Sequence, residues 1–282
     1  MKVVLAGAYG KLGTEILKKL IAKDYEVVAV DLKINETEDF GDKVTPIAID
    51  VTKPETMKGI FDGADYAIST VGLTSTSASI TNYDIDYQGN LNLLAEAKNA
   101  NLKGFTYISV IKADTAPSVP MLDAKAKFEK ELKSSGINYV IHRPTGYFYD
   151  IAKVFMPMIE NGKVTLLGKL NVSANVVHTP DFAEFIVDKM EEKNTMYDVG
   201  GKETYTYEEI AKMFFKAAGK EPVIKRAPVF LFDILAFVNK CKKNGKEAII
   251  RFSKWTLTNE LVGKDVCGSS SFKEYIKQCY NK

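Results

Sequence analysis

Three glycines spaced by three, Gly7, Gly10 and Gly13, stand between an apolar run "KVVLA" and a helix-like run "TEILKKLIA". At such a strand-to-helix corner, glycines let an anion approach the backbone. The helix start then offers unpaired N–H groups and the positive end of its dipole, which suits a pyrophosphate. Tyr9, Lys11 and Leu12 belong to the same loop and are expected to border the same ligand. A second strand-like run ends in "VAVD" and puts Asp31 18 residues after Gly13, near the spacing at which an acid reaches the hydroxyls of an adenosine ribose. A carboxylate there repels a 2′-phosphate and so favours NAD, while Lys33 two residues on keeps NADP open. The third run ends in "IAIDV"; Asp50 is expected to bond the adenine amino group and Val51 to pack on its ring.

The elements that must position these residues alternate along the first 200 residues. Short β-branched runs at 2–6, 26–30, 44–49, 66–70, 105–110 and 138–142, with a weaker one at 195–199, read as buried strands. Helical stripes lie between them: Leu12, Ile16 and Leu20, then Tyr87, Leu91, Leu94 and Ala95. "TKPE" (52–55) and "TPDFAEFIVDKM" (179–190) both read as helix starts with an early proline. Thr206 and Glu209 in "TYEE" read as a capping box, and Gly219 closes the helix they open. The pattern predicts an α/β fold: a Rossmann-type, doubly wound parallel sheet with a small, mostly helical C-terminal lobe. Residues 1–200 are expected to bind the dinucleotide, with 150–175 contributing to the cleft, and 201–282 to form a substrate or lid lobe.

In such sheets ligands sit at the carboxyl ends of the strands. Thr70, Val71 and Gly72, in the loop "TVGLTSTS" (70–77), are therefore expected beside the diphosphate and ribose, and Pro144, Thr145, Gly146 and Tyr147 beside the nicotinamide. Hydride transfer needs that ring held against an acceptor in a dry pocket, with a group to protonate the product. Tyr147 and Tyr149 are candidates for that donor, or aromatics that only pack the cleft wall.

Taken together, Gly7/Gly10/Gly13, Asp31 and "DV" at 50–51 resemble the short-chain dehydrogenase/reductase superfamily, in the extended and atypical version of its glycine motif. The likeness continues through "DYQGNLNLLAEAKNANLKGFTYISV" (86–110), "KAKFEKELKSSGINYVIHRPTGYFYD" (125–150), "VVHTPDFAEFI" (176–186) and "YDVGGKETYTYEEIAKM" (197–213). It is nearest to the atypical branch of NmrA-like and divinyl chlorophyllide reductase-like proteins. The resemblance implies a catalytic role for Ser109, by position, and for Lys125. It also exposes a departure. The superfamily's tyrosine precedes its lysine by four residues and serves as general acid or base, and here that place holds Met121. Lys125 shares a helical face with Met121, Phe128 and Leu132, so its charge needs a partner. Nicotinamide-ribose hydroxyls, or Glu129 one turn on, are the expected ones.

Two activities remain open on these grounds. One is an NAD(P)-dependent oxidoreductase acting on a small molecule at a carbonyl or activated double bond. The other is a non-enzymatic NAD(P)-binding sensor resembling NmrA-like regulators. Sugar-nucleotide isomerisation is disfavoured, because it too relies on the missing tyrosine.

The bulk composition narrows the partners. A net charge of +2 with scattered basic residues argues against nucleic acid. Cys241, Cys267 and Cys279 lack metal-ligand spacing, no His or acidic cluster supplies a metal site, and no G-x-S-x-G elbow suggests hydrolysis. His142 and His178 read as hydrogen-bonded structural residues. The odd cysteine count and a start that runs straight into a strand lead to an expectation of a cytoplasmic protein without a targeting segment. The apolar stretch 227–239 is too short to span a bilayer, so no integral membrane segment is expected. It reads as a core helix, a contact in a homodimer or a membrane-surface helix.

Overall fold

The computed structural model describes residues 1–35, 40–73, 78–168 and 171–280. The chain divides into two compact units, the first gathering Met1–Ser75, Ser79–Arg143 and Phe182–Tyr197, the second Pro144–Asp181 and Asp198–Lys282.

Strands β1 (Lys2–Ala6), β2 (Glu26–Asp31), β3 (Val44–Ala48), β4 (Tyr66–Ser69), β5 (Gly104–Ile108) and β6 (Tyr139–Pro144) lie in the spatial order β6-β5-β4-β1-β2-β3. The pairings between neighbours from β3 to β6 are parallel. The chain thus winds outward from β1 to one edge and then from β4 to the other. That reversal makes the gap between the carboxyl ends of β1 and β4 the topological switch point, where open α/β sheets bind ligands. Helices α1 (Lys11–Ala22), α2 (Asn90–Asn99) and α3 (Pro120–Ser134) belong to the same unit. On α1, Leu12, Ile16 and Leu20 are buried as their spacing predicts. The hydrophobic cluster includes Val4, Val28, Leu93, Phe105, Phe128 and Ile141.

Three local expectations differ from the structure. Strand β3 is half exposed, because it forms the sheet edge; Pro46 within it, which cannot donate to a ladder, fits only there. "TKPE" opens a single 3₁₀ turn, Pro54–Met57, rather than a longer helix, and Gly59 turns the chain away with a φ of +76°. Before α2 the chain makes a π-helical turn, Tyr83–Gly89, whose wider i→i+5 winding shifts the phase of the apolar stripe. On α2 Leu94 is buried as its spacing predicts, together with Leu93 and Ala97, and Ala95 is exposed.

The remaining elements are α4 (Phe148–Glu160), β7 (Val164–Leu167), β8 (Ser173–Ala174), α5 (Thr179–Lys189), β9 (Thr195–Gly200), β10 (Tyr205–Thr206), α6 (Tyr207–Ala217), β11 (Ile224–Ala227), α7 (Phe230–Cys241), α8 (Lys246–Thr258), β12 (Asp265–Val266) and α9 (Phe272–Tyr280). β9 and β12 complete an eight-stranded sheet beyond β6, and β12 is a strand the sequence pattern does not announce. Two small sheets, β7 with β11 and β8 with β10, were likewise not expected. The capping box is present: Thr206 Oγ1 accepts the Glu209 N–H at 3.2 Å, and Glu209 Oε2 accepts the Thr206 N–H at 2.8 Å.

His142, on β6, departs from its expected role. Among the described residues neither ring nitrogen finds a hydrogen-bond partner, and the ring stacks on Tyr197 at 5.5 Å with Phe182 and Phe185 edge-on. Complete burial lowers its pKa to about 3. The unfolded chain protonates near about pH 6.5, so between those values it binds the extra proton. The stability His142 contributes is complete above about pH 6.5 and is lost as pH falls towards 3. Urea unfolding at pH 7 and pH 5 should show wild type losing about 2 kcal/mol more than His142→Phe. Parallel pH profiles for the two proteins would count against a neutral buried imidazole.

Candidate functional site

The glycine corner is built by close approach. Gly7 has a φ of +78°, and a Cβ there would lie 2.4 Å from Thr70 Oγ1. A Cβ on Gly13 would lie 2.0 Å from the Gly7 carbonyl oxygen. Gly10 is the N-cap of α1 and supplies no side-chain cap, and no acidic residue stands in the first turn. The helix start therefore keeps donors and a positive dipole end for an incoming anion. Lys11 begins the helix, while Leu12 turns into the core.

Asp31 ends β2 and is joined to this corner: its Oδ2 accepts the Tyr9 N–H at 3.0 Å and its Oδ1 the Leu32 N–H at 2.7 Å. Lys33 is exposed. The Asp50 carboxylate closes its own turn, with Oδ1 taking the Thr52 N–H and hydroxyl at 3.0 and 2.7 Å and Oδ2 facing Lys53 Nζ at 3.3 Å. Those Thr52 bonds lead the causes that lower its pKa. Val51 packs against Gly89, where a Cβ would come within 2.7 Å of its side chain.

The loop after β4 is held by a buried polar ladder. Thr70 Oγ1 donates towards the carbonyls of Ala6 and Gly7, at 3.1 and 3.0 Å, tying this loop to the glycine turn. Asn90 Nδ2 donates to the Val71 carbonyl at 3.2 Å, and Asn90 Oδ1 accepts the Ser69 hydroxyl at 2.6 Å. Asp86 Oδ2 accepts from the Leu73 N–H at 3.2 Å and from Asn82 Nδ2 at 2.9 Å. Residues 74–77 of the loop lie outside the described residues.

Asp86 is also the partner of Lys125, with Nζ 3.2 Å from its Oδ1. The carboxylate is 1% exposed, and among the described residues that Oδ1 takes no hydrogen bond. Lys125 donates to the Ile108 carbonyl at 3.2 Å and lies over the Tyr107 ring, 5.2 Å from its centre. Gly72 stands next to the pair: a Cβ there would be 2.9 Å from Asp86 Oδ1 and 3.4 Å from Lys125 Nζ. Lys125 does not pair with Glu129. Glu129 instead grips Arg143 through both its oxygens and accepts the Ser109 hydroxyl at 2.5 Å. Ser109 is therefore spent on a buried ion pair. Tyr107 is pushed well above its ordinary value, first by burial and then by Asp86 and Glu129.

Sequence reasoning missed Asp86 and Tyr107. The signal for Asp86 was available: Asn82, Asp86 and Asn90 recur at four-residue intervals, and all three are buried. Polar residues repeating on one helical face need partners inside the fold.

Pro144, Thr145, Gly146 and Tyr147 belong to the second unit. There Thr145 Oγ1 donates to the Asn175 carbonyl at 2.7 Å, and the Gly146 carbonyl accepts the Val177 N–H at 2.8 Å. Tyr147 stacks on Tyr149 at 5.3 Å, and burial raises its hydroxyl pKa well above the ordinary value. His178 matches its expected structural role, with Nδ1 3.0 Å from Ser270 Oγ and 3.3 Å from Asp181. Burial pushes the Cys267 thiol up to about 12. Among the described residues no cluster of three or more His, Cys, Asp or Glu side chains is arranged to hold a metal ion.

A family model described as NAD(P)H-binding matches residues 7–193. The chain belongs to the NAD(P)H-binding family. The glycine corner, the uncapped helix start and Asp31 fit that cofactor class. Photosystem II assembly factor Ycf39 of Synechocystis is 26% identical over 263 residues, covering 91% of this chain and 76% of that protein. Divinyl chlorophyllide a 8-vinyl-reductase of Arabidopsis thaliana is 25% identical over 260 residues, covering 83% of this chain and 62% of that protein. Citrobacter triphenylmethane reductase shares the fold at a TM-score of 0.77 over 100% of both chains, with 17% identity. These likenesses agree with the atypical short-chain dehydrogenase/reductase resemblance carried by the glycine motif and the 86–150 segments.

Asp86→Asn should leave the Lys125 ammonium without its counter-charge and lower unfolding free energy by about 3–5 kcal/mol. Adding Lys125→Met to that variant should restore most of the loss. Urea titrations of both proteins read this directly; a double variant no more stable than the single one would show that the pair is not coupled.

Proposed function

We propose that this protein is an NAD(P)-dependent oxidoreductase acting on a small organic substrate at a carbonyl or an activated double bond. The observation that carries the proposal is the buried Lys125–Asp86 pair beside Gly72, at the carboxyl end of β4. A buried ion pair is a weak source of stability. Its place next to a residue with no side chain, at the carboxyl ends of β4 and β5, suits a role towards a ligand. When bound, a nicotinamide cofactor supplies or accepts the hydride.

In this reading the first helix and Gly7, Gly10 and Gly13 receive the paired phosphates, with Tyr9, Lys11 and Leu12 bordering them. Asp31 takes the adenosine ribose, which favours NAD over NADP, and Asp50 and Val51 border the adenine. Thr70, Val71 and Gly72 line the path of the diphosphate and ribose. Lys125, held by Asp86, would orient the hydroxyls of the nicotinamide ribose. Pro144, Thr145, Gly146 and Tyr147 would serve the nicotinamide end. Tyr147 is proposed as the proton donor; burial raises its pKa well above the ordinary value, so it would give its proton only to a strongly basic centre. Ser109 donates to Glu129, so the proposal gives it the task of holding Glu129 rather than a chemical step. Residues 1–200 would bind the cofactor, and 201–282 would serve the substrate.

Met121, standing where the superfamily keeps its tyrosine, favours a second reading. Here the protein is a non-enzymatic NAD(P)-binding regulator, resembling NmrA-like proteins, whose cofactor state governs a protein contact. The similarity to a protein named as an assembly factor adds weight to it.

Affinities for NADH and NADPH, followed by a screen of carbonyl and enone acceptors for loss of reduced-cofactor absorbance, separate the two. NADH should bind more tightly, Asp31→Ser should narrow the difference, and Lys125→Met should lower turnover about 100-fold. Tyr147→Phe with unchanged turnover at every pH would remove that tyrosine as donor. Tight cofactor binding with no acceptor consumed would favour the regulator.

A further inference from the structure

Helix α7 is turned inside out. Phe230, Ile234 and Phe237 are 58%, 53% and 66% exposed, and Leu231, Leu235 and Val238 are exposed with them. At 3.6 residues per turn these six side chains occupy one arc of roughly 160°. Ala236 is the buried position on the opposite side, and α7 lies against α8. The hairpin is clasped by an ion pair from Lys254 to Asp233, 2.6 Å long. The 227–239 stretch is thus no core helix; six of its apolar side chains are exposed on one arc.

Directly after this arc the chain reads "KCKKNGK", in which Lys240, Lys242, Lys243 and Lys246 are all exposed. No acidic residue occurs between Asp233 and Glu247. Single exposed apolar residues need no explanation, but a contiguous aromatic and aliphatic patch bordered by cations does. At 12 residues the helix is too short to cross a bilayer, and among the described residues no helix is long and apolar enough to do so. An amphipathic helix with aromatic residues on one face and lysines beside it lies in the headgroup region of an anionic membrane. A second copy is the less suited occupant. In an isologous pair this surface would meet itself, bringing lysines without acids to face them, since Asp233 is already tied to Lys254.

We propose that the outward face of α7 and the lysines at 240–246 form a docking surface for an anionic phospholipid membrane, on which the protein lies without spanning it. Phe230, Ile234 and Phe237 enter the acyl boundary, and the lysines meet the phosphates.

The test uses the full chain with vesicles of phosphatidylcholine alone or mixed with phosphatidylglycerol, read by cosedimentation, with sedimentation velocity in the absence of lipid. The protein should pellet with the anionic vesicles, weakly or not at all with the neutral ones, and less as salt is raised. Phe230→Ser with Phe237→Ser should weaken the partition at least about tenfold. Lys240→Gln, Lys242→Gln and Lys243→Gln together should weaken it on the order of 100-fold. All five positions are exposed, so both variants should keep the wild-type thermal transition and NADH affinity. Failure to pellet with anionic vesicles overturns the proposal, as does equal binding to neutral ones or undiminished binding by either variant. A dimer that the serine variant dissociates, with no vesicle binding, overturns it in favour of a second copy.

Discussion

The Asp86 carboxylate, closed off from water, is the constraint around which the first unit is arranged. One oxygen binds the backbone of Leu73 and the Asn82 amide, and the other faces the Lys125 ammonium. A buried carboxylate is tolerated only when its charge and lone pairs are met. Meeting them requires the π turn at 83–89, α3 and the loop after β4 to adopt their positions together. From that loop Thr70 passes the constraint to the Gly7 turn, and Gly13 lets α1 close against the same turn. A continuous series of contacts therefore runs from Lys125 to the start of the first helix.

Beside it stands a second, separate pair. Glu129 and Arg143 satisfy each other, and Ser109 adds its hydroxyl. Lys125 Nζ lies over the Tyr107 ring, and burial together with the charges of Asp86 and Glu129 raises that tyrosine's pKa well above its ordinary value. Lys125 pairs with Asp86, while Arg143 pairs with Glu129 and also reaches Asp114 at 3.3 Å. This pairing explains why Lys125 and Ser109, near neighbours on the sheet's carboxyl side, have different partners. Under the proposed activity, Asp86 and Lys125 are the groups that border Gly72, the loop residue without a side chain.

The second unit follows another logic. Its irregular strands and glycines are held by side chains that read the backbone. Asn175 exchanges two hydrogen bonds with Gly263, at 2.9 and 2.8 Å, and the Asp181 carboxylate accepts the N–H groups of Ser269 and Ser270. Helix α7 does not share in this economy of burial. These polar clasps stand beside an apolar core of the unit's own, which includes Phe148, Phe155, Phe214 and Phe272.

The parallel alternation, the glycine corner, Asp31 at the end of β2 and the capping box at Thr206 were legible in the sequence by itself. Each is a local rule: periodicity, turn chemistry or a fixed offset along one chain segment. Tertiary structure alone decided the partner of Lys125, the occupation of Ser109, the aromatic enclosure of His142 and the outward face of α7. Those outcomes depend on residues 17 to 55 positions apart meeting in space, or on which side of a helix its neighbour covers. Helical spacing shows that a stripe is apolar, but it does not say which side of the stripe the rest of the chain covers. Likewise it shows that a buried lysine needs an anion, while several carboxylates in reach along the chain satisfy that need equally until the fold selects one.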